Sequence, residues 1–100
     1  MPGRIPERDT RTVNLRIEGN VQGVGFRNWT LRLAGQLGLS GWVRNQRDGS
    51  VEALFHGPAD AVDDAMGRCK IGPRSGKVTN VTVSEAEAPE TTGFEILPGV

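Results

Sequence analysis

The spacing of apolar residues divides the chain into short strands and two helices. Within residues 13–17, apolar and polar side chains alternate, which is typical of a strand with one buried face. From Phe26 onward, apolar residues recur at spacings of three and four and predict an amphipathic helix that ends at Gly38, where a left-handed cap is usual. Residues 19–25 must therefore turn the chain from a strand into a helix.

A β-hairpin is predicted after the first helix. Residues 42–46 and 51–55 are strand-like, and the Asp48-Gly49 pair between them is typical of a hairpin turn. Alternate residues of the second of these strands share one face. We expect that face to point into the core with Val51, Ala53 and Phe55.

A second helix and two further strands complete the predicted elements. Pro58 is expected at the first position of the helix, whose apolar stripe runs to Cys69. Residues 78–83 form a fourth strand, and residues 94–96 form a short closing strand. The chain thus follows the order strand, helix, strand, strand, helix, strand, with a short fifth strand.

This order predicts an α+β fold of the ferredoxin-like type. In such a split β-α-β sandwich, two helices cover one face of an antiparallel sheet, here of four to five strands. We assign residues 12–98 to one domain. Residues 1–11 hold a single large aliphatic side chain, so we expect a flexible N-terminal tail.

Composition narrows the possible partners of this domain. The 12 basic side chains equal the 12 acidic ones, and this balance argues against a nucleic-acid or anionic-membrane binder. Residues 1–12 are charged and lack an apolar run, so we expect no export signal, and no stretch is long enough to cross a bilayer. The single cysteine, Cys69, favours a reducing compartment, and we expect a cytoplasmic monomer. One histidine and one cysteine form no cluster at ligand spacing, so we expect no metal.

The glycine-rich loop of residues 19–25, here named the cradle loop, is the first candidate site. Three glycines allow backbone angles that would aim successive N–H groups into one concavity at a helix N-terminus, where negative charge is favoured. Arg27 follows, and its planar fork can bind two oxygens of a tetrahedral anion. The alternative is that the glycines only allow the tight turn from strand to helix and that Arg27 is an ordinary solvent-exposed arginine. For Gln22, the simplest expectation is a hydrogen bond to the backbone of the loop itself.

Asn45 is the second candidate, because strands disfavour asparagine and a buried amide needs partners. If the strand that carries Asn45 lies beside the first strand, its side chain comes near the cradle loop. The alternative is that Asn45 merely begins the hairpin.

Two motifs together resemble those of the acylphosphatase family. The stretches that match are Gly19-x-Val21-Gln22-Gly23-Val24-x-Phe26-Arg27 and Leu37-Gly38-Leu39-x-Gly41-Trp42-Val43-Arg44-Asn45, followed by Asp48-Gly49-x-Val51-Glu52 and Gly57-Pro58. The resemblance covers about residues 13–97. It implies a metal-independent hydrolase without a cofactor that splits the carboxyl-phosphate bond of a small acyl phosphate.

The resemblance also implies a role for each matching residue. The phosphate would be held by Arg27 and by the backbone amides of the cradle loop, namely Val21, Gln22, Gly23, Val24 and Gly25. Asn45 would orient the attacking water. Positioning and charge stabilisation are sufficient for this chemistry, because the carboxylate leaving group is stable.

Two other functions fit the predicted fold. A domain that only captures phosphate would explain the cradle loop without Asn45. A nucleic-acid binder of the RRM kind has a similar strand order, but it needs exposed aromatic residues on the central strands. Here the first strand has no aromatic residue and Phe55 is expected in the core, which argues against that function.

Overall fold

The computed structural model of the chain describes residues 9–100. The elements in chain order are β1 (Thr10–Asn20), α1 (Phe26–Leu37), β2 (Ser40–Asn45), β3 (Val51–Pro58), α2 (Ala59–Cys69), β4 (Lys77–Glu85) and β5 (Phe94–Ile96). Five strands form one sheet in the order β4-β1-β3-β2-β5, and both helices pack on it. The predicted α+β, ferredoxin-like fold is confirmed.

The fifth strand makes the sheet mixed. Strands β1 to β4 pair antiparallel, as predicted, whereas β5 pairs with β2 in parallel through Gly41–Phe94, Trp42–Glu95 and Val43–Ile96. The reason is the route of the chain, because the connection after β4 crosses from one sheet edge to the other. Strand β5 therefore reaches β2 running in the same direction.

The core lies between the sheet and the helices. The alternating residues of β1 and β3 that were expected to be buried have no exposed surface, namely Val13, Leu15, Ile17, Val51, Ala53 and Phe55. Helix α1 packs against β2 and β5, and α2 packs against β1 and β3. The ring of Phe55 stacks on that of Phe94 in β5, with 5.6 Å between the ring centroids, and this contact packs the short closing strand against the core.

Of two helix boundaries predicted from the sequence, the end of α1 is confirmed and the start of α2 lies one residue later than predicted. Gly38 caps α1 with φ 70°, a left-handed angle, and the next amide, Leu39 N–H, donates to Ala34 O at 2.9 Å. Pro58 was expected inside α2, but its ψ of 139° is extended. It is therefore the last residue of β3, and the helix begins at Ala59.

Strand β1 begins before the predicted domain start at residue 12. Thr10 pairs with Pro58, and the Arg11 guanidinium donates to Asp63 at 2.8 Å and to Glu85 at 2.7 Å. Arg11 thus links β1 to both α2 and β4. Residues 1–8 of the predicted tail lie outside the described residues.

Candidate active site

The N-terminus of α1 has none of the groups that usually neutralise a helix start. Gly25 is the N-cap residue with φ 81°, no side chain caps the helix, and its first turn holds no acidic residue. The first amides of a helix have no partner within the helix, and the dipole makes this end positive. The beginning of α1 is therefore ready to bind an external anion.

The backbone of the cradle loop adds further donors beside this helix end. Gly23 and Gly25 have φ of 75° and 81°, angles that residues with a side chain rarely adopt. Within residues 9–100, no backbone N–H of residues 21–25 donates to another residue. The glycines thus permit a backbone shape that leaves several amide donors without a partner in the described part of the chain.

Arg27 is the second residue of α1 and is half-buried. Side chains on a helix lean toward its N-terminus, so this residue reaches back over the cradle loop. No carboxylate or carbonyl among residues 9–100 pairs with its guanidinium. The other described arginines either form ion pairs or are exposed without one; those with ion pairs are Arg11, Arg16, Arg44 and Arg68, and the exposed ones are Arg32, Arg47 and Arg74. The five donors of Arg27 therefore remain available for a ligand.

Asn45 ends β2 and is fixed through its backbone on two sides. It pairs with Val51 of β3, and its carbonyl oxygen accepts a hydrogen bond from Val100 N–H at 3.1 Å. Its side-chain Oδ1 is buried, yet no group in the described part of the chain donates to it. A buried acceptor without a donor is costly and requires an explanation.

The sheet brings Asn45 to the cradle loop, but not for the reason that the sequence suggested. Strand β2 does not lie beside β1, because β3 separates them. Since β1 and β2 are each antiparallel to β3, they run in the same direction and end at the same side of the sheet. Ile17 of β1, Val51 and Asn45 are aligned across the three strands, and the chain turns into the cradle loop just beyond Ile17.

A cleft of about 240 Å³ joins these groups. It is lined by Val21, Gly23, Gly25, Phe26, Arg27, Asn28, Asn45 and Ile96. Arg27 is the charged member of this set, so the cleft is positive at the end where the helix dipole is also positive. The predicted residues Arg27 and Asn45 thus share one cavity with much of the cradle loop.

Gln22 and Val24 belong to the cradle loop but do not line this cleft. The Gln22 side chain does not bond to the backbone of its own loop, contrary to expectation; it donates to Gln46 O and Ser50 O in the hairpin. Val24 packs against the core, and its carbonyl oxygen accepts a hydrogen bond from Ser75 Oγ at 3.0 Å. These two residues hold the loop from opposite sides.

Three lining residues, Phe26, Asn28 and Ile96, were not predicted as part of the site. Asn28 follows Arg27 at the exposed start of α1, and Ile96 comes from β5. The parallel placement of β5 beside β2 is what brings Ile96 to the cleft. No local pattern in the sequence specifies that long-range pairing, whereas the position of Asn28 next to Arg27 was a usable signal.

Other kinds of site find little support in the described residues. Within residues 9–100, no group of three or more His, Cys, Asp and Glu side chains could hold a metal ion. Cys69 is buried, and burial raises the pKa of its thiol to about 12, which leaves it unsuited to act as a nucleophile. Neither of the helices described is long and apolar enough to span a bilayer.

Comparison with known proteins gives consistent matches. The family model for acylphosphatase matches residues 13–96. An acylphosphatase of Rhodospirillum rubrum is 48% identical over 90 residues, which cover 90% of this chain and 99% of the relative. Crystal structures are also similar. An acylphosphatase from Bacillus subtilis has a TM-score of 0.81 at 37% identity, covering 86% of this chain and 97% of its own.

A further solved structure, an acylphosphatase from Coxiella burnetii, has a TM-score of 0.86 at 30% identity and covers 91% of this chain and 96% of its own. Because the family match runs from residue 13 to residue 96, it includes every described segment that lines the cleft.

Proposed function

The chain belongs to the acylphosphatase family and hydrolyses acyl phosphates to a carboxylate and inorganic phosphate, and we propose that Arg27, Asn45 and the amides of residues 21–25 perform this reaction. One observation carries the proposal. A buried side-chain oxygen without a donor, Asn45 Oδ1, lies in the same cleft as a guanidinium without an acceptor among residues 9–100. A phosphoryl group and a water molecule would satisfy both.

The phosphoryl group binds at the positive end of the cleft. Its equatorial oxygens accept hydrogen bonds from the backbone amides of Val21, Gln22, Gly23, Val24 and Gly25 and from the start of α1. The fork of Arg27 binds two oxygens at once and stabilises the charge that they carry in the transition state. These donors are held by the fold before substrate arrives, so little reorganisation is needed.

Asn45 orients the nucleophile. A water molecule donates a hydrogen bond to the carboxamide oxygen and attacks phosphorus opposite the leaving group. The new bond joins the water oxygen to phosphorus, while the bond between phosphorus and the carboxyl oxygen breaks with its electron pair on the carboxylate. The proton of the water passes to the phosphate product or to solvent.

No general acid is required for this leaving group, because a carboxylate is stable at neutral pH. We therefore propose a reaction that proceeds without a metal and without a cofactor, driven by positioning and charge stabilisation. We also propose that the chain is a cytoplasmic monomer. A single, buried cysteine supports a reducing compartment.

The test is hydrolysis of benzoyl phosphate, followed by ultraviolet absorbance in the presence of a chelator. We expect Arg27→Ala and Asn45→Ala each to lower turnover by about a hundredfold or more, as for the loss of a preorganised transition-state contact. Arg32→Ala is the matched control, because Arg32 lies on the exposed face of α1, and it should keep wild-type activity. The assigned roles are wrong if either of the first two variants stays as active as the control.

The hydrolysis assay also tests metal independence, and a separate measurement tests the monomer. Full activity after metal removal supports a metal-independent reaction, and activity restored only by an added divalent cation contradicts it. Size-exclusion chromatography with light scattering tests the monomer, whose mass is 10.8 kDa.

A further inference from the structure

The side chain of Gln22 connects the cradle loop to the β2–β3 hairpin. Its Nε2 lies 2.8 Å from Gln46 O and 2.8 Å from Ser50 O. Both partners are carbonyl oxygens, which only accept, so the two hydrogens of the Gln22 amide supply both bonds. The Gln22 amide is part-buried, and both of its N–H groups donate hydrogen bonds.

The two carbonyls lie beside Asn45 in the structure. Gln46 follows Asn45 directly, and Ser50 directly precedes Val51, the residue that pairs with Asn45. Gln46 N–H also donates to Ser50 O at 2.8 Å, which closes the base of the hairpin. Gln22 therefore binds the hairpin at the two residues next to the Asn45–Val51 pair.

No other hydrogen bond within residues 9–100 joins residues 21–25 to the hairpin. On its other side, the loop is held by Ser75 through the carbonyl of Val24. Among the hydrogen bonds of the described residues, those of one side chain therefore link the loop to the hairpin that carries Asn45. The hairpin is tied to β1 separately, because Asp48 in its turn pairs with Arg16, whereas the bond from the Gln46 side chain to Glu52 lies within the hairpin.

We propose that Gln22 is a positioning residue that fixes the distance between the phosphate-holding amides and the water-orienting carboxamide of Asn45. This inference rests on the roles proposed above for the loop and for Asn45. In-line attack requires phosphorus and water to be aligned closely, and a misplacement of about 1 Å can cost on the order of a hundredfold in rate. Phosphate binding needs only the loop and Arg27, so it does not depend on this link.

The test measures kcat for benzoyl phosphate and the inhibition constant of inorganic phosphate in Gln22→Met. Methionine keeps the length of the side chain but has no donor. We expect kcat to fall about tenfold or more, while the inhibition constant of phosphate changes less than about threefold. If Gln22 were purely structural, its substitution would lower the melting temperature without lowering kcat selectively over phosphate affinity.

A double-mutant cycle with Asn45→Ala tests the route of the effect. If Gln22 acts through Asn45, adding Gln22→Met to Asn45→Ala lowers kcat by less than about twofold more. Equal losses in both backgrounds overturn the proposal, as does an unchanged kcat in Gln22→Met. Should Asn45→Ala itself retain full activity, the proposed mechanism fails, which is a distinct result.

Two further variants complete the design. Gln46→Ala is the control, because it removes the side-chain bond to Glu52 but keeps the carbonyl that Gln22 uses, and its kcat should stay near that of the wild type. If Gln22→Met does not fold, Gln22→Asn replaces it. The shorter amide keeps its donors but cannot span both carbonyls, and we expect the same loss of kcat with retained phosphate affinity.

Discussion

At the scale of single residues, the site depends on groups whose bonding capacity is not used within the described fold. Most charged side chains that the structure describes near the sheet are paired, as Arg44 is with Glu52 at 3.2 Å. Arg27 and the Asn45 oxygen are not. Buried or half-buried polar groups are normally satisfied, so this exception indicates where a ligand completes the structure.

The geometry of Arg27 makes a prediction that charge alone does not. Lysine keeps the positive charge but replaces the planar fork with a compact ammonium. We expect Arg27→Lys to lower kcat/KM by at least about tenfold, since bidentate contact to two phosphoryl oxygens is lost. The measurement is benzoyl phosphate hydrolysis, with Arg32→Lys as the control. Wild-type activity in Arg27→Lys would mean that the site needs only a charge.

The sequence was sufficient to propose these two residues for the site, but not to predict what surrounds them. Arg27 follows a glycine loop and Asn45 is a polar residue at a strand end, and both signals are local. The partners of Gln22 are carbonyls of residues 46 and 50, and every residue type offers the same carbonyl. Nothing in the side-chain pattern could therefore indicate which backbone Gln22 would reach.

At the scale of elements, the β2–β3 hairpin carries Asn45 and is stiffened by Asp48. The Asp48 carboxylate accepts hydrogen bonds from Ser50 Oγ at 2.6 Å and from Ser50 N–H at 3.0 Å, and it pairs with Arg16 of β1. Hydrogen bonds from Ser50, followed by the pairing with Arg16, lower the pKa of Asp48 to about 2. The turn thus favours the ionised carboxylate and is tied to the neighbouring strand.

This lowered pKa gives the hairpin a defined pH dependence. A carboxyl group whose pKa is lower in the folded state stabilises the fold above its unfolded pKa, and that contribution is lost as the pH falls through the folded value. We expect the difference in urea midpoint between wild type and Asp48→Asn to be largest near pH 5 and to shrink as the pH falls to about 2.

Glu87→Gln serves as the control for this pH series, because Glu87 is exposed and has no ion pair among residues 9–100. Its midpoint should differ little from that of the wild type at pH 5. A difference for Asp48→Asn that stays constant from pH 5 to pH 2 would contradict the assignment.

At the scale of the whole molecule, the sequence predicted the layers better than the order of the strands. Period-2 and helical spacing report which face of an element is buried, and the buried residues agree with them. The order of strands and the parallel edge pairing of β5 depend on the path of the connections, which the local pattern does not encode. The sequence pattern therefore did not predict that Ile96 lines the cleft.

Ligand binding to the whole fold offers a test that does not require turnover. Inorganic phosphate, bound only by the folded state, at about ten times its Kd should stabilise the protein by about 1.4 kcal/mol and raise the melting temperature by about 5–10 °C. Arg27→Ala should lose most of this shift, because its cleft lacks the charged group. Chloride at matched ionic strength is the control, and an equal shift with chloride would exclude specific binding.

The parallel pairing of β5 with β2 has a consequence for how this enzyme becomes active. The cleft is lined by residues from the first helix, from β2 and from β5, and joining β2 to β5 closes a loop of about 50 residues. We expect contacts so distant along the chain to form late, after the local helices and the hairpin. Catalysis therefore begins only when nearly the whole chain has assembled, and recovered turnover during refolding reports completion of the native topology rather than the formation of its parts.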